Sequence, residues 1–301
     1  MIVVGAGVVG LSCAVRLLEA GHAVRVVAAD RPEETTSAVA AALWYPYRAL
    51  PQDLVTAWSA RTYTALAELA RDPGTGVRMR VGTELVREQQ PDPWWAAAVP
   101  DLARATERPG YAGGWRFTAP VAEMGVYLPW LARRVEQLGG RITHARLDRL
   151  PEGEGADVVV NATGLGAHGL ADDPSVTPVR GQVVVVEQVG LDEWWLDPGH
   201  PGGPTYVVPR SRDVVLGGTD QEGEHEITPS PATARDIVAR ATRLVPSLAG
   251  ARVLRHAVGL RPVRPAVRVE RIGDVVHCYG HGGAGVTLSW GCADEVVELA
   301  G

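Results

Sequence analysis

The sequence predicts an α/β protein of two domains, and three observations support this fold class. With 301 residues, the chain can bury a large core and form two domains. Its start reads as a short apolar strand, a glycine-rich turn, an amphipathic helix and a second strand, which is the order of a βαβ unit. Its second half contains short apolar runs between turn residues, which are typical of an antiparallel sheet.

The βαβ unit predicts a dinucleotide site. Strand Ile2–Val4 leads into Gly5-Ala6-Gly7-Val8-Val9-Gly10 and a helix, and the second strand ends before Asp30. The three glycines suit a tight turn, a close approach to a pyrophosphate and a helix–strand contact, while an acidic side chain at Asp30 can hold ribose hydroxyls. A packing turn in a generic α/β domain is the alternative, and the motif alone does not separate NAD from FAD.

Two further segments are expected to line the same site. Thr35, Thr36 and Ser37 supply hydroxyls that suit phosphate, and small residues up to Leu43 let a ring system lie close; a helix N-cap with small-residue packing explains them equally well. The apolar strand pattern that begins at Ala156 ends at Asn161-Ala162-Thr163-Gly164, where a strand end borders the crevice of a doubly wound sheet. An ordinary strand-to-loop turn is the alternative there.

The remaining elements define the predicted domains. Helices are predicted over 53–71, 127–138 and 232–244, and antiparallel strands over 182–187, 206–209 and 213–217. We expect a discontinuous nucleotide-binding domain of residues 1–50, 141–185 and 260–301. A mixed-sheet α+β substrate domain then comprises residues 51–140 and 186–259.

The segment from Gly259 to Ala293 combines an anion receptor with a ligand cradle. Arg261 and Arg264 stand between prolines, and a glycine-dense loop then enters a helix. A buried arginine needs an anionic partner, which can be a bound carboxylate or an internal Asp or Glu. A helix N-terminus favours negative charge on a ligand.

Composition excludes several classes of function. The net charge of −6 argues against nucleic acid and anionic membranes as partners. Cys13, Cys278 and Cys292 show no metal or redox spacing, so we expect no metal site and a reducing compartment. Without a basic leader or a long apolar run, the chain is expected to be cytoplasmic.

In this order, the motifs resemble the D-amino-acid oxidase family of FAD enzymes over nearly the whole chain. The resemblance is strongest in segments that include the two cofactor motifs and the Gly259 segment, namely 5–10, 35–47, 156–164, 180–182, 206–218, 259–270 and 279–293. It implies a Rossmann-like FAD domain with non-covalent FAD. It also implies oxidation of D-amino acids to 2-oxo acids, ammonia and hydrogen peroxide, with oxygen as acceptor and hydride transfer to flavin N5. Neither the choice of D over L nor the use of oxygen follows from the residues themselves.

The resemblance also implies a set of site residues. Substrate would contact Arg261 and Tyr206 through its carboxylate, and Gly283 and Tyr45 through its amine, with no catalytic acid or base. The implied FAD residues are Gly5, Ala6, Gly7, Val8, Val9, Gly10, Asp30, Arg31, Thr35, Thr36, Ser37, Ala41, Ala42, Leu43, Thr163, Gly164, Gly282, Gly283, Gly285, Val286 and Thr287.

Two departures from the family pattern concern the substrate pocket. Tyr45 replaces the usual glutamine, and Gly202 stands where mammalian members carry a lid tyrosine, so we expect a short, open 198–204 loop. Neutral D-amino acids are the expected substrates. The alternatives are a D-aspartate oxidase, for which Arg264 or Arg48 would supply a second cation, a glycine oxidase-like amine oxidase, an NAD(P)-dependent dehydrogenase and a flavin-binding protein without turnover. The oligomeric state stays open, with a homodimer as the working expectation.

Overall fold

The computed structural model describes residues 1–151 and 157–301. Its α-helices are α1 (Val8–Glu19), α2 (Gln52–Leu69), α3 (Met124–Gln137), α4 (Ala167–Leu170), α5 (Pro231–Leu244) and α6 (Gly285–Ala300). Its strands are β1 (Ile2–Val4), β2 (Arg25–Ala28), β3 (Val77–Val86), β4 (Ala103–Ala105), β5 (Gly113–Ala122), β6 (Arg141–His144), β7 (Val159–Asn161), β8 (Thr177–Glu187), β9 (Trp194–Asp197), β10 (Thr205–Pro209), β11 (Asp213–Gly217), β12 (Gln221–Glu222), β13 (Val253–Ile272) and β14 (Val275–His281).

The strands form one continuous mixed sheet. Its parallel half runs β14-β7-β1-β2-β6, and its other half runs β4-β5-β3-β9-β10-β11-β8-β13. Strand β13 joins the halves, because its first part pairs with β8 and its last part pairs with β14. The register shifts between Val263 and Arg268, so the two parts of this strand present their side chains differently.

The predicted fold class is confirmed, and the predicted helices and antiparallel strands lie within a few residues of the observed ones. Ala156, the first residue of the strand pattern that leads to Asn161, lies outside the described residues. Within residues 1–151 and 157–301, every helix is too short or too polar to span a bilayer.

Helices α2 and α3 fall within the predicted substrate domain, yet they pack on the helices of the parallel half. Helix α2 lies on α6 and α3 lies on α1. Gly291 of α6 makes the first contact close, because a Cβ there would stand 2.2 Å from the carbonyl oxygen of Trp58. Strand β8, which was predicted mainly as part of the nucleotide domain, pairs with β11 of the antiparallel half. The division into two domains stays a prediction.

Candidate functional site

A cavity of about 560 Å³ opens at the carboxyl ends of the parallel strands. It extends from Asp30, just after β2, to Arg261 and Tyr206 in the antiparallel half. Ligands of doubly wound sheets bind at this edge, where the strands end and the loops diverge. Of the predicted cofactor residues, all except Gly10, Arg31 and Thr287 line the cavity, as do all four predicted substrate residues.

The glycine turn after β1 brings backbone to the cavity wall. Gly5 has φ +114°, and a Cβ there would stand 2.4 Å from the carbonyl oxygen of Ala162. A Cβ on Gly10 would stand 2.1 Å from the Gly5 oxygen, so Gly10 serves helix–strand packing from behind the wall. Helix α1 has no side-chain cap, and the Val8 amide donates to the Ser37 hydroxyl at 3.1 Å. Its N-terminus therefore favours negative charge in the cavity.

The structure separates Asp30 from its neighbour Arg31. Asp30 lines the cavity with a largely exposed side chain, and Arg146 lies 4.0 Å from its carboxylate. The Arg31 amide instead donates to the Glu34 carboxylate at 3.1 Å, away from the lining residues. An exposed carboxylate at the end of β2 remains free to accept from hydroxyl groups.

The hydroxyls predicted to face phosphate have protein partners in this structure. Thr35 donates to the Pro32 carbonyl at 2.7 Å, and Thr36 donates to the Leu260 carbonyl at 3.2 Å. The Thr36 bond ties the segment after β2 to β13, and the small residues up to Leu43 line the cavity.

The loop between β14 and α6 forms the opposite wall. Gly282 has φ +54°, and helix α6 begins at Gly285 without a side-chain cap. Thr287 is buried, and its hydroxyl both accepts from the amide and donates to the carbonyl of Tyr45, each at 3.0 Å. The Thr287 side chain therefore holds the backbone of Tyr45, and only the Thr287 backbone contributes to the N-terminus of α6.

The two arginines of β13 have different partners. The Arg261 guanidinium lines the cavity, donates to the Thr219 carbonyl at 3.0 Å and lies 3.5 Å from the Asp220 carboxylate. Arg264 donates to Asp173 at 2.9 Å and to the Ala266 carbonyl at 3.0 Å. Burial alone would raise the pKa of Asp173, but its bonds from Ser175, Arg264 and Tyr279 lower it well below the usual range. Arg261 is thus the arginine that faces the site.

Gly181 and Gly217 leave room for the side chains at this end of the cavity. A Cβ on Gly181 would stand 2.5 Å from Arg261 Nη2, and one on Gly217 would stand 1.8 Å from the Tyr206 ring. Burial raises the pKa of the Tyr206 phenol, although the neighbouring Arg261 lowers it. A protonated phenol beside a guanidinium offers a second donor to a carboxylate.

Sequence reasoning missed Glu84, which bonds to Tyr45. The Tyr45 hydroxyl donates to Glu84 Oε1 at 2.8 Å, and Glu84 is 5% exposed. Burial raises the pKa of Glu84 to about 7, although the bond from Tyr45 lowers it. A glutamate directly followed by the apolar residues Leu85 and Val86 was the available signal. Asp220, which accepts from Tyr47 at 2.8 Å and from Arg48, was also missed.

No metal site was predicted from the sequence, but the described residues contain one group of three buried side chains that could act as metal ligands. The ligand atoms of Cys278, His281 and Cys292 lie within 4.8 Å of one another, although sequence spacing did not indicate it. Burial raises the pKa of Cys292 and lowers the pKa of His281 to about 4, so both are neutral at pH 7. His281 lines the cavity, and its Nε2 has no hydrogen-bond partner in the described part of the chain.

These features fit FAD. Two helices without side-chain caps begin at the cavity, an acidic side chain follows β2, and small residues flank the space between them. Diphosphate, ribose and a flat ring system require such groups.

Comparison with known proteins agrees. A family model described as FAD dependent oxidoreductase matches residues 1–299. The chain is 54% identical over 310 residues to a D-amino-acid oxidase of Rubrobacter xylanophilus, covering 100% of this chain and 95% of that protein. It is 46% identical over 312 residues to a D-amino-acid oxidase of Streptomyces coelicolor, covering 100% of this chain and 96% of that protein. A glycine oxidase from Geobacillus kaustophilus shares the fold, with a TM-score of 0.84 at 18% identity over 99% of this chain and 93% of that chain.

The matches decide between the two dinucleotides that the glycine motif left open, and they confirm the family and the cofactor expected from sequence. The chain belongs to the FAD-dependent oxidoreductase family, together with the D-amino-acid oxidases that it resembles along its whole length.

Proposed function

We propose that this chain oxidises neutral D-amino acids to 2-oxo acids, with oxygen as electron acceptor. The amino acid, oxygen and water give the 2-oxo acid, ammonia and hydrogen peroxide. The observation that carries the proposal is Arg261, whose guanidinium stands in the same cavity as the dinucleotide motif and is 19% exposed. Identity to D-amino-acid oxidases over the full chain supports the same activity.

Arg261 and Tyr206 would hold the substrate carboxylate. A guanidinium offers two parallel N–H donors that match a carboxylate, and the Tyr206 phenol adds a third. The Asp220 carboxylate, at 3.5 Å, is too distant for a strong bond to Arg261, so an incoming carboxylate can compete with it.

Gly283 and Tyr45 would place the substrate amine. Gly283 lies beside Arg261, since a Cβ on Gly283 would stand 3.5 Å from Arg261 Cδ. Its carbonyl is proposed to accept from the amine. The Tyr45 hydroxyl donates its hydrogen bond to Glu84. Its oxygen can therefore only accept a further hydrogen bond, as from the substrate amine.

Bound FAD would supply the two-electron chemistry, with flavin N5 as the acceptor for the hydride of the substrate Cα and oxygen as the final electron acceptor. Gly5–Val9, Asp30, Thr35–Ser37, Ala41–Leu43, Thr163, Gly164, Gly282, Gly283, Gly285 and Val286 are proposed to hold it, since all of them line the cavity. The backbone of Thr287 at the start of α6 adds to the positive end of that helix, which favours negative charge on the ring system. We propose no acid or base for the Cα step, because alignment of a neutral amine suffices.

Neutral rather than acidic substrates are proposed because the second cation is missing from the lining. Arg146 and Arg261 are the lining guanidinium groups among the described residues, and Arg146 lies at the Asp30 end. Arg48 contacts Asp220 and Glu222, and Arg264 pairs with Asp173, so neither is free for a side-chain carboxylate.

The test is a peroxide assay on the flavin-loaded protein over matched panels of D- and L-amino acids. We expect turnover of D-alanine and similar substrates, with weak turnover of D-aspartate. Turnover confined to L-amino acids, glycine or D-aspartate would refute the proposal. Reduction of the flavin by D-alanine without oxygen, followed by slow reoxidation in air, would instead indicate another electron acceptor.

A cytoplasmic homodimer completes the proposal. The free thiols of Cys13, Cys278 and Cys292 suit a reducing compartment. Light scattering of the purified protein tests the dimer, and microscopy of a tagged chain in its host tests the location.

A further inference from the structure

Strand register connects Glu84 to the substrate end of the cavity. Glu84 of β3 pairs with Leu196 of β9, and Leu196 pairs with Tyr206 of β10. Paired residues of neighbouring strands point to the same face of a sheet. Leu196 and Tyr206 line the cavity, so Glu84 lies on the cavity-facing side of the sheet, two strands (about 10 Å) from Tyr206.

In the row of paired residues Glu84, Leu196 and Tyr206, Glu84 and Tyr206 lie on opposite sides of Leu196. The Tyr206 ring extends over Gly217 of β11, towards Arg261, as the 1.8 Å approach of a Gly217 Cβ shows. Glu84 lies on the other side of Leu196, behind Tyr45. A substrate whose carboxylate contacts Arg261 and Tyr206 therefore has the Leu196–Tyr45 wall, with Glu84 behind it, at the other end of its pocket.

The charge of Glu84 has no cationic partner in the described ranges. Its Oε1 accepts from Tyr45, and its Oε2 is buried without a hydrogen-bond partner. Arg87, which directly follows β3, pairs with Asp197. Burial raises the pKa of Glu84 to about 7, so the carboxyl group is largely ionised at pH 8.5.

We propose that Glu84 is a specificity-determining residue that disfavours acidic D-amino acid side chains and favours cationic ones. Glu84 acts through the electric field behind Tyr45 and touches no reacting atom. Two unit charges about 8 Å apart in a partly buried site change binding roughly tenfold to thirtyfold. This proposal rests on the proposed function, because it assumes that D-amino acids bind with their carboxylate at Arg261.

The test compares substrate pairs that differ in side-chain charge, in the flavin-loaded protein at pH 8.5. We measure kcat/KM for D-glutamine against D-glutamate, and for D-lysine against D-norleucine. In Glu84→Gln, which can still accept from Tyr45, both ratios should fall about tenfold from their wild-type values. In Glu84→Asp, which keeps the charge but shortens the side chain, both ratios should stay within about threefold of wild type.

Glu88→Gln is the matched control, because Glu88 lies just beyond β3 and is exposed. It removes the same charge near the same strand and should leave both ratios unchanged. Flavin content and Tm verify that each variant is folded. Ratios unchanged in Glu84→Gln, or reduced equally in Glu84→Asp, would overturn the proposal. A wild-type protein that oxidises no D-amino acid would refute the proposed function instead.

Discussion

Arg261→Ala should abolish most carboxylate recognition while FAD stays bound. The guanidinium is 19% exposed and bonds to a backbone carbonyl, so it is already oriented before substrate arrives. Removing one partner of a buried, hydrogen-bonded charge pair costs about 2–5 kcal/mol. At 1.4 kcal/mol per factor of ten, kcat/KM should fall roughly 30- to 4,000-fold.

Steady-state peroxide production with D-alanine measures this loss, and flavin absorbance after desalting measures cofactor retention. Arg261→Lys should recover part of the loss, because an ammonium keeps the charge but lacks the planar fork. Arg264→Ala is the matched control on the same strand. It breaks the pair with Asp173, so Tm should fall while kcat/KM stays within about threefold of wild type.

The reasoning would be refuted by an Arg261→Ala protein that keeps its flavin and retains kcat/KM within threefold of wild type. Equal losses in Arg261→Ala and Arg264→Ala would mean that β13 is merely destabilised. Neither result is compatible with a direct contact between Arg261 and the substrate.

Four further predictions follow from the site. Tyr206→Phe should cost about 0.5–3 kcal/mol in kcat/KM, because one donor to the carboxylate is lost, and an unchanged value would remove Tyr206 from the site. Asp30→Ala should weaken FAD binding, measured by fluorescence titration of the apoprotein, by about 0.5–1.5 kcal/mol without changing substrate preference; a changed preference would argue against a ribose contact. Gly181→Ala should raise KM by up to about a hundredfold with flavin retained, since its Cβ would displace the Arg261 guanidinium, and an unaltered KM would show that the arginine adapts. The pKa of Glu84 is raised from 4.5 to about 7, so the folded state holds this proton more tightly and stability falls as pH rises from about 4.5 to about 7. Glu84→Gln has no such pH-dependent loss of stability, which is on the order of 3 kcal/mol in the wild type. The Tm of the variant minus that of the wild type should therefore rise between pH 5 and pH 8; parallel Tm curves would contradict the raised pKa of Glu84.

Local patterns in the sequence predicted the nucleotide half of the cavity well. The βαβ unit is specified by neighbouring residues, because a strand, a glycine turn and a helix follow one another within thirty positions. The turn therefore forms wherever this segment folds, and Gly5–Val9 line the cavity as expected. Gly10, Arg31 and Thr287 do not line it, since a motif does not show which of its residues turn towards packing or other loops.

The substrate half required long-range register. The residues alone left Arg261 and Arg264 equivalent, and only the family resemblance assigned the substrate carboxylate to Arg261. In the structure Arg261 lines the cavity, whereas Arg264 pairs with Asp173. Glu84 meets Tyr45 across 39 positions of the chain, and the pairing of β3 with β9 places it beside Leu196, over a hundred positions away, on one sheet face.

By itself, the sequence determined the fold class, the dinucleotide motif and an arginine suited to a carboxylate, because each depends on spacing within one segment. The tertiary structure gave the two arginines different partners, and it placed a buried carboxyl group behind the wall at the opposite end of the pocket. Those features depend on which strands are neighbours and on which groups are withdrawn from water, and neither is encoded within a single segment.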